Sequence, residues 1–253
     1  MNWFELEGAC NARDLGGLPA RGGRTRPGVL ARSDAVHELT EADVAALVDG
    51  YGLRHVIDLR APGERREQGR GALGRRSVAY SELDVISDEL IAERRRARLA
   101  ALEAGPVEVE ALIAEGYWQL LEHGAGAFCA ALRAAAEPAG APALVHCSAG
   151  KDRTGVLVAL LLDAAGVERP AVVADYAATD SRIGLVRDRL AQMPAYKDLA
   201  AEAPEMLMRA HAGTMERFLA RLDAECGGAA AWFDAQGGAD ALAAWTARFI
   251  EPA

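Results

Sequence analysis

No stretch of this 253-residue chain reaches the ~18 consecutive apolar residues that a bilayer-spanning helix needs. Stable membrane insertion is therefore not expected. Positive charge is in deficit, with 28 Lys and Arg against 37 Asp and Glu and a net charge of −9, which argues against a nucleic-acid partner. The start, Met1-Asn2-Trp3-Phe4-Glu5, has neither a basic nor an apolar leader region. A cytoplasmic location is expected, with export by another route left open. Cysteine is sparse: Cys10, Cys129, Cys147 and Cys226 form no C-x-x-C pair, and no histidine stands at metal-ligand spacing. No metal site and no disulfide framework are expected. Lysine is scarce beside arginine, a bias that carries no function. Nothing in the chain marks an oligomeric state or a cofactor.

What is present describes a folded globular chain. Half of it is apolar (51%) and 26% is charged, too apolar for a disordered segment. Gly28 to Ser33, Leu53 to Arg60 and Arg76 to Tyr80 read as strands. Thr40-Glu41-Ala42-Asp43 opens a helix as a capping box. Helical patterns cover Ser87 to Ala104, Val107 to His123 and Ala125 to Ala136. Pro138 to Pro142 breaks the last one and delivers Ala143-Leu144-Val145-His146, a short buried strand. Thr154 to Ala165 is apolar nearly all round, hence a buried helix, and the rest is helical. Strands alternating with helices predict one α/β domain over residues 1–253 with a mainly parallel sheet.

The chemistry-bearing segment is His146-Cys147-Ser148-Ala149-Gly150-Lys151-Asp152-Arg153-Thr154-Gly155, between a buried strand and a buried helix. Ligands of open α/β sheets sit at the C-terminal strand ends. The amides of Ser148, Ala149, Gly150, Lys151, Asp152, Arg153 and Thr154 can line an anion-binding concavity, reinforced by the following helix N-terminus. That field favours the thiolate of Cys147. Arg153 can grip two phosphate oxygens in fork geometry, and Thr154 can donate to the sulfur. A nucleophilic sulfur under a phosphate-shaped cradle implies a phosphocysteine intermediate. A nucleotide-binding loop does not fit. Val145 stands where its first glycine belongs, and Asp152 follows the lysine.

This segment resembles the H-C-x5-R-S/T signature of cysteine-dependent phosphatases. The longer form C-x-x-G-K-D-R-T-G resembles the bacterial tyrosine/serine phosphatases, a group with protein and phosphoinositide activity among its members. Asn11-Ala12-Arg13-Asp14-Leu15-Gly16-Gly17 is similar to that family's N-F-R-D-L-G-G opening, departing at Ala12. Leu30-Ala31-Arg32-Ser33, Val56-Ile57-Asp58-Leu59-Arg60 and Asp175-Tyr176 match further family segments. The resemblance implies the cysteine-phosphatase fold, a central, mainly parallel sheet flanked by helices, with a helical lid in some members. Residues 182–209 are the candidate lid, or else ordinary packing helices. It also implies a metal-independent phosphomonoesterase of the protein-tyrosine phosphatase type, acting on a phosphorylated protein or a phosphoinositide.

A general acid is needed for the leaving oxygen. Asp152 is favoured by the resemblance, or else orients Arg153. Asp58, at a strand end, is the next choice, or else pairs with Arg60 or Arg13. Asp84 is a third choice, or else a solvated loop charge. Lys151 is an added cation near a second phosphate, or else solvated at the loop crest. His146 is expected to be buried and to fix the loop, and Arg13 and Asp14 to brace it. Arg94, Arg95, Arg96 and Arg98 form a solvated face paired with Glu89, Glu93 and Glu103, or else a docking patch for an acidic substrate or membrane surface. Leu207, Met208, Met215 and Phe218 are expected in the core. A rhodanese-like sulfurtransferase and a non-catalytic phospho-binding module are the rival readings. The first lacks the Asp152-to-Gly155 run, and the second typically loses the Cys or Arg present here.

Overall fold

A computed structural model describes residues 1–193, 196 and 204–253. The amino-terminal part holds β1 (Asn2–Trp3), β2 (Arg13–Asp14), β3 (Pro19–Ala20), β4 (Gly23–Thr25) and β5 (Leu30–Ser33). Helix α1 (Glu41–Ala45) opens where the capping box predicts: the Thr40 hydroxyl accepts from the Asp43 amide, and the Asp43 carboxylate accepts from the Thr40 amide. Then come β6 (His55–Asp58), α2 (Pro62–Gln68), β7 (Ala79–Glu82), α3 (Asp88–Glu103), α4 (Val109–His123) and α5 (Ala125–Ala136). The expected buried strand is β8 (Ala143–His146), followed by α6 (Asp152–Ala164), α7 (Arg169–Ala178) and α8 (Ile183–Leu190). The chain closes with α9 (Glu205–Met208), α10 (Ala212–Cys226), α11 (Ala229–Ala235), α12 (Ala239–Phe249) and β9 (Ile250–Pro252).

The main sheet runs β1-β2-β5-β8-β6-β7. The four strands from β5 to β7 are mutually parallel, and β2 pairs antiparallel with both β5 and β1. All four residues of β8 are buried, as are those of β5 and β6 on either side. A strand covered on both faces needs this unbroken apolar run. The expected mixed α/β fold with a mainly parallel central sheet is the one observed.

Helix α6 buries ten consecutive residues, Arg153 to Leu162, against the sheet and α4. Met215 and Phe218 on α10 and Leu207 on α9 join the same core, as expected. Met208 belongs to a smaller, separate cluster with Val186, Leu190, Met193 and Ala35. Among the described residues no helix is long and apolar enough to cross a membrane.

Candidate active site

The central position of β8 carries Cys147 to the C-terminal edge of the parallel strands, where it is 2% exposed. The loop turns at Gly150 with φ +66°. A Cβ there would stand 2.5 Å from the Ser33 carbonyl oxygen, so only glycine fits both the dihedral and the space. Asn11 Nδ2 donates to the carbonyls of Ala149 and Gly150, each at 3.2 Å, and Arg32 Nη2 donates to the Gly150 carbonyl at 2.7 Å. In a trans peptide the C=O and the following N–H point oppositely. Pinning these carbonyls toward Asn11 and Arg32 directs the Gly150 and Lys151 amides the other way. Lys151 occupies the α6 N-cap without a side-chain cap bond, so the first-turn amides of the helix face the same region unsatisfied. The Thr154 hydroxyl is buried and has no hydrogen-bond partner among the described residues.

Arg153 is held by a residue that motif reading did not single out. Glu64, at the third position of α2, is 3% exposed. Its Oε1 accepts from Arg153 Nη2 at 2.9 Å, and its Oε2 pairs with Arg153 Nη1. The same carboxylate accepts from the Ser148 hydroxyl, the Tyr196 hydroxyl and the Ala61 amide. Burial alone raises its pKa, but the Arg153 charge and these donors outweigh burial and hold it at about 2. Arg153 also donates to the Leu59 carbonyl at 3.2 Å and to the Tyr196 hydroxyl at 3.0 Å.

Asp152 accepts from the Tyr117 hydroxyl at 2.9 Å, and Tyr117 and Tyr176 share a hydroxyl–hydroxyl bond of 2.7 Å. Burial pushes the Asp152 pKa up. Lys151, Arg98, the Tyr117 bond and Arg94 together bring it below the ordinary carboxylate value. Lys151 does not stand solvated at the loop crest. Its Nζ is buried, donates to the carbonyls of Leu207 (3.0 Å) and Arg209 (3.4 Å), and lies 3.5 Å from Asp152. Arg94 and Arg98 also depart from the expected solvated face. They turn inward and line one cavity with Cys147, Lys151, Asp152 and Arg153.

Asp58 is fully buried and clasped by Arg60, with Nη2 to Oδ2 at 2.6 Å. That is the ion-pair alternative to an acid role, and Asp58 does not line the cavity. Asp84 is an exposed loop charge paired with Arg65. His146 is fully buried, with Nδ1 3.2 Å from the Cys147 carbonyl. Burial lowers its pKa, which favours the neutral ring.

The expected brace is divided. Arg13 donates to Asn11 Oδ1 at 2.6 Å and to Asp175 Oδ1 at 2.9 Å, so it supports the loop through Asn11. Asp14, the next residue on β2, projects from the opposite face of the strand. It accepts from the Gly16 and Gly28 amides and the Tyr51 hydroxyl instead of bracing the loop.

Of the candidate lid, residues 194, 195 and 197–203 lie outside the described residues. Of the rest, Ile183, Val186 and Leu190 of α8, with Tyr196, Leu207 and Met208, line the same cavity as Cys147. The cavity volume is about 150 Å³.

Asn11, Arg32 and Asp175 were legible only as members of matching segments, and the roles assigned above come from their contacts. Glu64 carried one local signal, its place three residues after Ala61, the residue that caps the Pro62 helix start.

The chain is similar in sequence to several proteins named as phosphatases. A Cupriavidus necator protein named as a tyrosine-protein phosphatase is 36% identical over 68% of this chain, and the match spans 61% of that relative's length. The triple specificity protein phosphatase PtpB of Mycobacterium tuberculosis is 29% identical over 80% of this chain and 78% of its own. A tyrosine-protein phosphatase of Nostoc commune is 29% identical over 58% of this chain and 47% of its own. A sequence profile described as the tyrosine phosphatase family matches residues 4–251, nearly the whole chain, which therefore belongs to the tyrosine phosphatase family of enzymes.

Proposed function

We propose that the chain is a protein-tyrosine phosphatase that hydrolyses phosphate monoesters without a metal, through a phosphocysteine intermediate on Cys147. The observation that carries this reading is the convergence of Cys147, Arg153 and the loop residues Ala149, Lys151 and Asp152 on one cavity. In the first step the Cys147 thiolate attacks phosphorus. The S–P bond forms, the P–O ester bond breaks, and the leaving oxygen takes a proton from Asp152. In the second step water attacks phosphorus, Asp152 accepts the proton, the S–P bond breaks, and phosphate leaves. Arg153 and the amides stabilise the equatorial oxygens in both steps. Removing one such preorganised donor costs ~10²–10³-fold in turnover.

Phosphoserine, phosphothreonine and phosphoinositides are proposed as further substrates, by likeness to the relative whose name states triple specificity. The segment 182–209 is proposed as a lid over a single phosphatase domain. Its described part packs through the small cluster of Val186, Leu190, Met193 and Met208, with Leu207 in the main core.

The test is turnover of p-nitrophenyl phosphate by wild type and Cys147→Ser, with EDTA and vanadate as additives. The expected result is loss of several orders of magnitude in Cys147→Ser with retained anion binding, inhibition by vanadate, and no effect of EDTA. Full activity in Cys147→Ser, or loss with EDTA restored by zinc, overturns the reading. Thiosulfate sulfurtransferase activity would favour the rhodanese-like alternative. Phosphopeptide binding without turnover would favour the binding module.

A further inference from the structure

Arg94 and Arg98 stand four residues apart on α3 and so share one helix face. Both reach the cavity wall, where they meet α4 at Gly116. A Cβ on Gly116 would lie 2.6 Å from Arg94 Nη2 and 2.7 Å from Arg98 Nη2, so both guanidinium groups fill the notch left by the missing side chain. Arg94 Nη2 donates to the Gly116 carbonyl at 2.6 Å. Arg98 Nη2 is buried and has no hydrogen-bond partner among the described residues. Burial, then the charge of Arg98, push the Arg94 pKa down to about 10. Two like charges with a buried, unsatisfied N–H form a costly arrangement that an incoming anion would relieve. Asp152 gives the pair one nearby counter-charge, but it already accepts from Tyr117 and lies beside Lys151. Glu64 is committed to Arg153.

We infer that Arg98, seated with Arg94 against Gly116, forms a specificity-determining subsite for a second anionic group of the substrate, the carboxylate of an acidic residue near the phosphotyrosine. The inference rests on the proposed phosphatase reading and names a substrate class for it. The walls favour a peptide. Ile91, Leu99, Leu120, Leu207 and Met208 offer an apolar lining suited to an aryl ring, whereas a hydroxyl-rich inositol ring would lose water partners there. A carboxylate can accept two guanidinium N–H groups at once, and both arginines line the cavity that holds Cys147.

The test uses the full chain and phosphotyrosine peptides in which a single glutamate, or glutamine as control, is walked through the positions flanking the phosphotyrosine. The readout is the Glu/Gln ratio of kcat/KM, in which changes to the shared machinery cancel. Wild type should prefer glutamate at one or two positions by about tenfold, the scale of a charge-assisted hydrogen bond. Arg98→Gln should bring that ratio to about one. Gly116→Ala keeps both charges and displaces both guanidinium groups, and should also lower it. It gives an independent answer if Arg98→Gln fails to fold. A ratio near one for wild type at every position, or a preference that survives in both variants, overturns the subsite. It is also overturned if Arg98→Gln leaves the peptide ratio intact and instead lowers hydrolysis of a bisphosphorylated inositol lipid relative to a monophosphorylated one in vesicles. No turnover of p-nitrophenyl phosphate by wild type would mean that the phosphatase reading had failed. Good turnover with no glutamate preference would mean that only the subsite had.

Discussion

Glu64 on α2 and Arg153 on α6, 89 residues apart in the chain, form a buried two-point pair in which Oε1 and Oε2 meet Nη2 and Nη1. A guanidinium that must meet phosphate oxygens in plane is fixed by a carboxylate that holds the same plane. Glu64→Gln keeps the shape and leaves Arg153 buried with an unpaired charge. It should destabilise the fold by about 3–5 kcal/mol and lower turnover of p-nitrophenyl phosphate. Urea unfolding and steady-state kinetics check this, and an unchanged midpoint with unchanged kcat would refute it.

Two buried, depressed carboxylates contribute to the acid limit of stability. Glu64 and Asp58 are both held at about 2, well below the values they take in the unfolded chain. Each is ionised and paired in the folded state, so each stabilises it fully above the unfolded value. That contribution is lost as pH falls from roughly 4.5 toward 2. Unfolding free energy measured across this window should drop steeply in wild type. The slope should be shallower in Asp58→Asn, and an identical slope would count against the assignment.

Asp152 bears on the leaving group. Its pKa lies below the ordinary value, so the protonated form grows as pH falls, and turnover of poor leaving groups should rise toward acid. Asp152→Asn should slow an alkyl phosphate far more than p-nitrophenyl phosphate and flatten the basic-side limb. Tyr117→Phe removes a donor to the charged form, so it should move that limb to higher pH while leaving it present. Equal slowing of both substrates by Asp152→Asn would instead make Asp152 a positioning residue for its neighbour Arg153.

The loop is held from behind by Asn11 and from within by Gly150. Gly150→Ala meets a positive φ and the Ser33 carbonyl together, and should cost at least about 1–3 kcal/mol and most of the activity. Asn11→Ala frees the two carbonyls that orient the loop amides, and should weaken vanadate binding with a smaller effect on stability. Isothermal titration with vanadate, alongside thermal melting, distinguishes the two effects. Unchanged vanadate affinity in Asn11→Ala would show that the amides hold their direction without it.

Lys151 donates to the Leu207 and Arg209 carbonyls, so its charge is committed to the segment over the cavity. Lys151→Ala should therefore lower turnover of phosphotyrosine peptide and phosphoinositide by similar factors. A selective loss on multiply phosphorylated inositides, shrinking at high salt, would instead give Lys151 a direct part in binding the second phosphate.

Read as a sequence, the chain shows what neighbouring residues decide together. The apolar run Ala143 to His146 dictates a buried strand, and the loop from Cys147 to Gly155 must cross its C-terminal end into a buried helix. These are matters of local periodicity and spacing, so the fold class and the central loop were legible. What only the tertiary structure decided involves partners far apart in the chain. Asn11 reaches Ala149 across 138 residues, Tyr117 reaches Asp152 across 35, and Glu64 reaches Arg153 across 89. No periodic pattern encodes such a pair. It exists because the parallel sheet brings loops from separate strands to one edge. The same holds for Arg94 and Arg98, which read as a charged, solvated helix face until α4 presents Gly116 to them. An arginine turns inward or outward according to the shape of the element packed opposite, and that shape belongs to the fold rather than to the helix that carries the arginine.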